Sequence, residues 1–311
     1  MRKAVLSIQH LLAMFGATVL VPLLTGLDPS VAIFCAGIGT LIFHKCTDLK
    51  VPVFLGSSFA FISVINQVKN TFNGDLSYAQ GGIMVAGLLY IIMSMIIKVA
   101  GPKKVKKYFP PQVTGAMIMI IGLNLLPTAV EMAMNNIIVA IVTLSNAVGI
   151  NKFGRGSIKQ FSVIIAIFIG IAVSAFIGIT DFSAVSKASL FAIPNFSAPK
   201  FSLKAIIIIA PVVLAVFMEH VGDITTNGAV VGKNFLEDPG LHKTLLGDGL
   251  ATLVAGLIGG PANTTYGENT ALLAITKNYD PKLLRLTAIF AILIACISKF
   301  GAFLQSIPTA V

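Results

Sequence analysis

Long apolar runs recur along this chain, the first from Val5 to Leu24, and each is stopped by a proline, a glycine or a cluster of lysines. A helix needs about 20 apolar residues to cross the hydrocarbon of a bilayer, and few other structures satisfy their backbone there. Hydropathy and helix breakers place spans near 5–25, 29–47, 51–68, 79–101, 112–132, 136–150, 161–180, 204–227, 244–260, 265–276 and 283–306. A membrane β-barrel is excluded, because its segments are shorter, about 10 residues, and alternate strictly. A water-soluble globule is excluded by composition: 56% of residues are hydrophobic and 11% charged, against roughly a quarter charged in soluble domains. The sequence reads as an all-α polytopic membrane protein.

The formal charge of +10 does not point to nucleic acid, because the basic residues cluster between the apolar runs. With the N-terminus inside, Arg2, Lys3, Lys45, Lys50, Lys98, Lys103, Lys104, Lys106, Lys107, Lys152, Arg155, Lys159, Lys233, Lys243, Lys277, Lys282 and Arg285 fall on cytoplasmic ends. Lys69, Lys187, Lys200, Lys204 and Lys299 fall outside. That asymmetry predicts a cytoplasmic N-terminus. Met1-Arg2-Lys3 before an apolar run resembles a signal peptide, but the run is too long, so it reads as a retained first helix. Cys35, Cys46 and Cys296 show no C-x-x-C spacing and indicate neither a disulfide framework nor a metal site.

Two spans, the third and the tenth, are interrupted by polar and small residues: Gly56-Ser57-Ser58 and Asn263-Thr264-Thr265-Tyr266-Gly267. Unpaired backbone in hydrocarbon is costly, so both breaks must be enclosed by protein. Gln9-His10 in the first span and Glu219-His220 in the eighth stand seven spans apart, as do the two breaks. An odd offset implies an inverted repeat, the arrangement of many secondary transporters. Phe109-Pro110-Pro111 opens the fifth span and Ile307-Pro308 stands where a twelfth would begin, so the second repeat reads as unfinished after about eleven spans.

Most acidic residues fall in loops or at span ends, namely Asp28, Asp48, Asp75, Glu131, Asp181, Glu237, Asp238, Asp248 and Asp280. Glu219, Asp223 and Glu268 remain inside spans, where an ionisable group costs about 2.5–3.5 kcal/mol and usually faces a cavity. Glu219 and Asp223, spaced i, i+4, share one helix face; two such charges do not both ionise readily away from water, so one is expected to carry a proton. The alternative for the pair is a hydrogen-bonded structural face. Glu268 follows the second break, at a half-helix N-terminus where free N–H groups converge; it reads as a cap, a ligand group, or both. Gly267 permits close approach of a flat ligand, on which Phe59 or Tyr266 can stack. His10 and His220 read as hydrogen-bonded packing residues rather than ligands, and His44 and His242 as interfacial, with no metal spacing.

Four segments carry a resemblance: Gln9-His10-Leu11-Leu12-Ala13-Met14-Phe15-Gly16 through Pro22, Leu55-Gly56-Ser57-Ser58-Phe59-Ala60-Phe61-Ile62, Glu219-His220-Val221-Gly222, and Asn263-Thr264-Thr265-Tyr266-Gly267-Glu268-Asn269. Together they resemble the bacterial uracil-permease type of the nucleobase/ascorbate transporter (xanthine/uracil permease) family. The resemblance implies a seven-plus-seven inverted-repeat transporter fold with core and gate domains. On that template, 1–111 and 204–311 form the core (spans 1–4 and 8–11), 112–203 half of the gate (spans 5–7), and spans 12–14 are absent. It further implies that Glu219 and Glu268 hydrogen-bond the base, that backbone at Phe59 and Gly267 completes its edge, and that Ser58 and Tyr266 line the site. Asp223, His10 and Asn269 would support the site and couple it to protons. Asp223 stands where the uracil type has His, a feature of purine-type members, and Ala271 stands where the family signature has Gly, at an expected close helix contact.

The function implied is proton-coupled import of a nucleobase, uracil first, by alternating access, in the bacterial cytoplasmic (inner) membrane. No cofactor is expected beyond protons, and the partners are the base, the proton, the lipid bilayer and, through the gate of a full-length chain, a second copy. Alternatives are a xanthine or other purine permease, an anion transporter of related architecture, and a short form that does not transport. Paired carboxylates argue against an anion. An intramembrane enzyme lacks support, since no H-E-x-x-H or G-x-S-x-G motif is present.

Overall fold

The computed structural model describes residues 2–101, 111–155 and 157–311. Lys103, Lys104, Lys106, Lys107, Phe109 and Pro110 lie outside the described residues. In chain order the elements are α1 (Arg2–Thr25), α2 (Pro29–Cys46), β1 (Leu55–Ser57), α3 (Ile62–Thr71), α4 (Ser77–Ala100), α5 (Pro111–Met134), α6 (Ile137–Phe153) and α7 (Ser162–Phe176). There follow α8 (Leu203–Ile209), α9 (Val212–Val231), α10 (Leu241–Ile258), β2 (Asn263–Thr265), α11 (Gly267–Thr276), α12 (Pro281–Ala295) and α13 (Ser298–Gln305). The chain divides into two compact units, one of Met1–Ile121 with Pro194–Cys296, the other of Gly122–Ile193 with Ile297–Val311.

The sequence dictates where these helices begin and end. Asp28 precedes Pro29, whose missing N–H is an orphan at a first helical position anyway, and its carboxylate accepts from the N–H groups of Ser30 (2.7 Å) and Val31 (3.3 Å). Asp280 before Pro281 repeats the device on α12, accepting from Lys282 N–H at 3.0 Å. Gly232 and Gly259 stop α9 and α10 at positive φ, 76° and 94°, where a side chain would be strained.

Among the described residues five helices are long and apolar enough to cross a membrane, or six if Pro281–Ala295 and Ser298–Gln305 count as one broken span. The eleven spans read from the sequence are therefore not eleven like helices. The third and tenth each combine an extended stretch with a ten-residue helix. The eighth is interrupted at Ala210-Pro211, where proline lacks the N–H that would continue the ladder. The eleventh, expected as one run over 283–306, ends at Ala295, and Ile297 is extended (φ −89°, ψ 95°) ahead of the polar pair Ser298-Lys299.

Within the first unit α10 packs against α4 and α2 at very short range. A Cβ on Gly87 of α4 would lie 2.5 Å from the N atom of Leu253 and 2.8 Å from the O atom of Gly249. Gly256 sits as closely against Met84 N, and Gly37 of α2 against Ala288 O of α12, both at 2.7 Å. Lipid offers apolar side chains no hydrophobic gain from association, so such backbone proximity supplies the van der Waals attraction instead. Phe43 packs against Gly247 and Tyr90 against Gly249, while Phe54 and Phe61 are fully buried elsewhere in the core. The exposed acids of the helix connections meet lysines: Asp48 pairs with Lys243 (2.6 Å) and Asp238 with Lys50 (2.5 Å). The Lys243 hydrogen bond holds the Asp48 carboxyl below its ordinary range.

Glycine substitutions test this packing. Gly87→Ala adds a methyl against backbone, and an overpacking cost of about 1–3 kcal/mol exceeds the roughly 1 kcal/mol that alanine gains over glycine in a helix. Gly149→Ala, with nothing within 4 Å of its new methyl, keeps that gain. Thermal unfolding in detergent is expected to show a lowered midpoint for G87A and an unchanged or raised one for G149A.

Candidate functional site

The two breaks meet each other. β1 and β2 pair antiparallel with Leu55 opposite Thr265, Gly56 opposite Thr264 and Ser57 opposite Asn263. The pairing continues one residue past each end: Ser58 N–H donates to Ala262 O (2.8 Å) and Tyr266 N–H to Phe54 O (3.0 Å). The outer edges are closed by threonines, Thr40 Oγ1 accepting from Leu55 N–H (2.9 Å) and Thr252 Oγ1 from Asn263 N–H (3.2 Å). Each bond has a counterpart under a local two-fold that maps Leu55 through Phe59 onto Asn263 through Gly267. Phe59 and Gly267 are therefore equivalent positions, one at the start of a short 3-10 turn leading into α3, the other at the start of α11. The leading N–H groups of such turns have no partner within their own helix.

Side chains from neighbouring helices hold the pair. Ser57 Oγ donates to Thr18 O (2.9 Å), and Asn263 Nδ2 lies 3.3 Å from both Cys35 O and Ala251 O. The Tyr266 ring lies against Gly56, where any Cβ would strike it, and its hydroxyl donates to Ser57 O at 2.9 Å. Tyr266 is 5% exposed, so its ring is committed to the strand pair rather than presented as a stacking face. Phe59 is half-buried, Ser58 is buried with its Oγ lacking a hydrogen-bond partner among the described residues, and Gly267 is open.

Glu219 and Asp223 project from one face of α9, and both are half-buried. Asp223 accepts from Thr265 Oγ1 at 2.8 Å, which fastens it to β2. Glu219 keeps a buried Oε2 without a partner among the described residues, within electrostatic range of Asp223, Asp248 and Glu268. Glu268 is exposed, in the first turn of α11 beside open Gly267. His10 of α1 and Asn269 of α11 are both buried and in contact, Asn269 Nδ2 donating to His10 O at 3.0 Å and lying 3.2 Å from His10 Nδ1. Ala271 is exposed, so its methyl meets no close helix contact.

One reading needs correction. Asp248, assigned to a span end, lies inside α10 and is buried, with Oδ2 2.7 Å from His220 Nδ1. His220 is a hydrogen-bonded packing residue as expected, fully buried, its Nε2 standing 2.9 Å from Thr244 Oγ1. His44, in the last turn of α2, is buried and donates from Nε2 to Val53 O at 2.9 Å. A signal for Asp248 was available: it falls within the span read over 244–260, flanked by Gly247 and Gly249, and so was a buried carboxylate by the same rule that singled out Glu219.

Two half-helices that start from a shared strand pair, one of them with Glu268 in its first turn, inside a helical unit built for lipid, define a membrane transport protein of the broken-helix type. The chain belongs to the Xan_ur_permease permease family, whose model matches residues 1–311. It is 41% identical over 319 residues to a Pasteurella multocida protein named "Probable uracil permease", covering 100% of this chain and 76% of that one. It is likewise 41% identical over 321 residues to the uracil permease of Bacillus caldolyticus, covering 98% of this chain and 74% of that one. The chain thus spans about three quarters of these relatives' length. The fold matches the transmembrane domain of a cyanobacterium bicarbonate transporter, BicA, with a TM-score of 0.66 at 14% identity, covering 99% and 85% of the two chains.

The strand pair yields a graded expectation. Tyr266→Phe removes one buried hydrogen bond, a loss of about 1–3 kcal/mol, whereas Gly56→Ala forces the Tyr266 ring out of its seat and opens the pair. In size-exclusion chromatography and detergent unfolding, G56A is expected to be the more damaged of the two.

Proposed function

We propose that this protein carries a pyrimidine nucleobase, uracil first, into the cell by proton symport, exposing its site to each side of the bacterial cytoplasmic membrane in turn, with its N-terminus cytoplasmic. Membership of a permease family and the names of its relatives support the substrate class. One observation carries the chemistry: Glu219 has an unpartnered buried oxygen in electrostatic range of Glu268, at the tip of α11 where Gly267 leaves the backbone open. A lactam base alternates N–H donors with C=O acceptors, so Glu219 and Glu268 accept from ring N–H groups while N–H at Phe59 and Gly267 donates to carbonyl oxygen. Ser58 Oγ supplies a further polar group, and Tyr266 serves the site by holding the strands.

Protons enter because the base is neutral. Binding it between carboxylates that repel one another favours a state in which one of them is protonated, and that linkage couples base to proton. Asp223, His10 and Asn269 stand behind the ligand groups and tune that exchange. A purine such as xanthine is the second reading, favoured by the carboxylate of Asp223 on the face that also bears Glu219.

Uptake of radiolabelled uracil by proteoliposomes, with and without an inwardly directed proton gradient (acidic outside), tests the reading. Glu219→Gln and Glu268→Gln are each expected to lower uptake by about 10- to 150-fold, the equivalent of a charge-assisted hydrogen bond of about 1.5–3 kcal/mol. Equal accumulation without the gradient would remove the coupling. Competition by uracil, xanthine and sulfate in one assay separates the pyrimidine, purine and anion readings.

A further inference from the structure

Glu219 and Asp223 continue into a third polar residue on the same row of α9. Asn227 follows at the next i+4 position, and such a row forms one ridge along a helix. It is fully buried and was not among the residues that the sequence pattern singled out. Its amide nitrogen reaches two other chain segments at once, donating to Pro52 O at 3.0 Å and to Thr270 Oγ1 at 3.1 Å. Pro52 lies on the extended approach to β1, and Thr270 in the first turn of α11, two residues after Glu268. One rung higher, Asp223 is tied to Thr265 on β2. The row thus has a free upper end, Glu219, and two lower rungs fastened to the elements that carry the opposing ligand groups.

We propose that Asn227 and Thr270 are positioning residues for substrate, setting the separation and aim of Glu219 and Glu268 by locking α9 to the first turn of α11. The proposal rests on the functional reading above in taking those two carboxylates as the substrate pair. Its physical basis is the cost of misplacement. The first turn of α11 has no side-chain cap and Gly267 has open space around it, so beyond the strand pair that leads into it, the side-chain hydrogen bonds that hold this turn are the Asn227 amide and the His10–Asn269 contact. Asn227 gives one amide hydrogen to this restraint and the other to Pro52 O, while its Oδ1 has no partner among the described residues. The residue is thus kept for what its NH2 group holds.

Thr270→Val is close to isosteric and removes only the hydroxyl, Thr270→Ser keeps it, and Asn227→Ala removes both donated bonds. T270V and N227A are expected to raise the KM for uracil uptake about tenfold, the loss of one buried hydrogen bond, with the maximal rate within about twofold, while T270S returns KM to the parent value. Hydrogen exchange at the amides of 267–270, measured without substrate, is expected to quicken in T270V and N227A and not in T270S. If N227A fails to fold, the T270V and T270S pair decides. Unchanged KM with unchanged exchange overturns the proposal; so does a fall in maximal rate at constant KM, or a raised KM without faster exchange, which would make Thr270 a direct contact. If the parent takes up no uracil, the functional reading fails, and exchange alone still decides the lock: quickened supports it, unchanged overturns it.

Discussion

Backbone hydrogen bonding in a medium without water governs this protein. A helix satisfies its own N–H and C=O groups, so long apolar runs can cross lipid unaided; a broken helix cannot. The extended breaks in the third and tenth spans satisfy each other through the antiparallel pair of Leu55–Ser57 with Asn263–Thr265. The threonine hydroxyls of Thr40 and Thr252 close the edges that a two-stranded sheet leaves open. Once the backbone is paired in this way, the helix starts at Phe59 and Gly267 are fixed on opposite sides of the pair, and their free N–H groups become a resource rather than a cost.

The surrounding packing serves that arrangement. Glycines at the α4–α10 and α2–α12 contacts bring backbones together, and Gly39 of α2 leaves room for the Asn263 side chain, which reaches Cys35 O and Ala251 O. Polar side chains inside the first unit are mostly engaged: His220 with Asp248 and Thr244, His44 with Val53 O, and Asp223 with Thr265. Glu219 and Ser58 keep atoms without partners close to the helix tips, and unpartnered buried oxygen is expensive enough to point to a ligand. Other buried atoms of the unit, on Gln80, Tyr90, Asp248 and Asn263 among them, also lack partners among the described residues.

Much of the site was legible in residue order because it depends on local rules. Gly56-Ser57-Ser58 and Asn263 through Gly267 interrupt apolar runs, and the spacing of Glu219 and Asp223 fixes a shared helix face whatever surrounds it. Asp248 was equally legible, since it falls inside the span read over 244–260; what residue order did not show was its partner, His220, 28 positions earlier. Tyr266 looked like a stacking surface, yet its ring faces inward, since the absent side chain of Gly56, some two hundred positions earlier, leaves it a seat. Asn227 gave no signal, because an amide near the end of a long helix is ordinary until its two acceptors are known.

The amino-acid order alone determined that this chain lives in lipid, where its helices start and stop, and that two of its segments cannot remain helical. Those outcomes follow from periodicity, caps and the cost of charge in hydrocarbon, all of which act within a few residues. Tertiary structure decided which break pairs with which, which acids are held and which stay free, and which segments Asn227 ties together. These depend on contacts between residues far apart in the chain, whose energies exist only once the helices have packed.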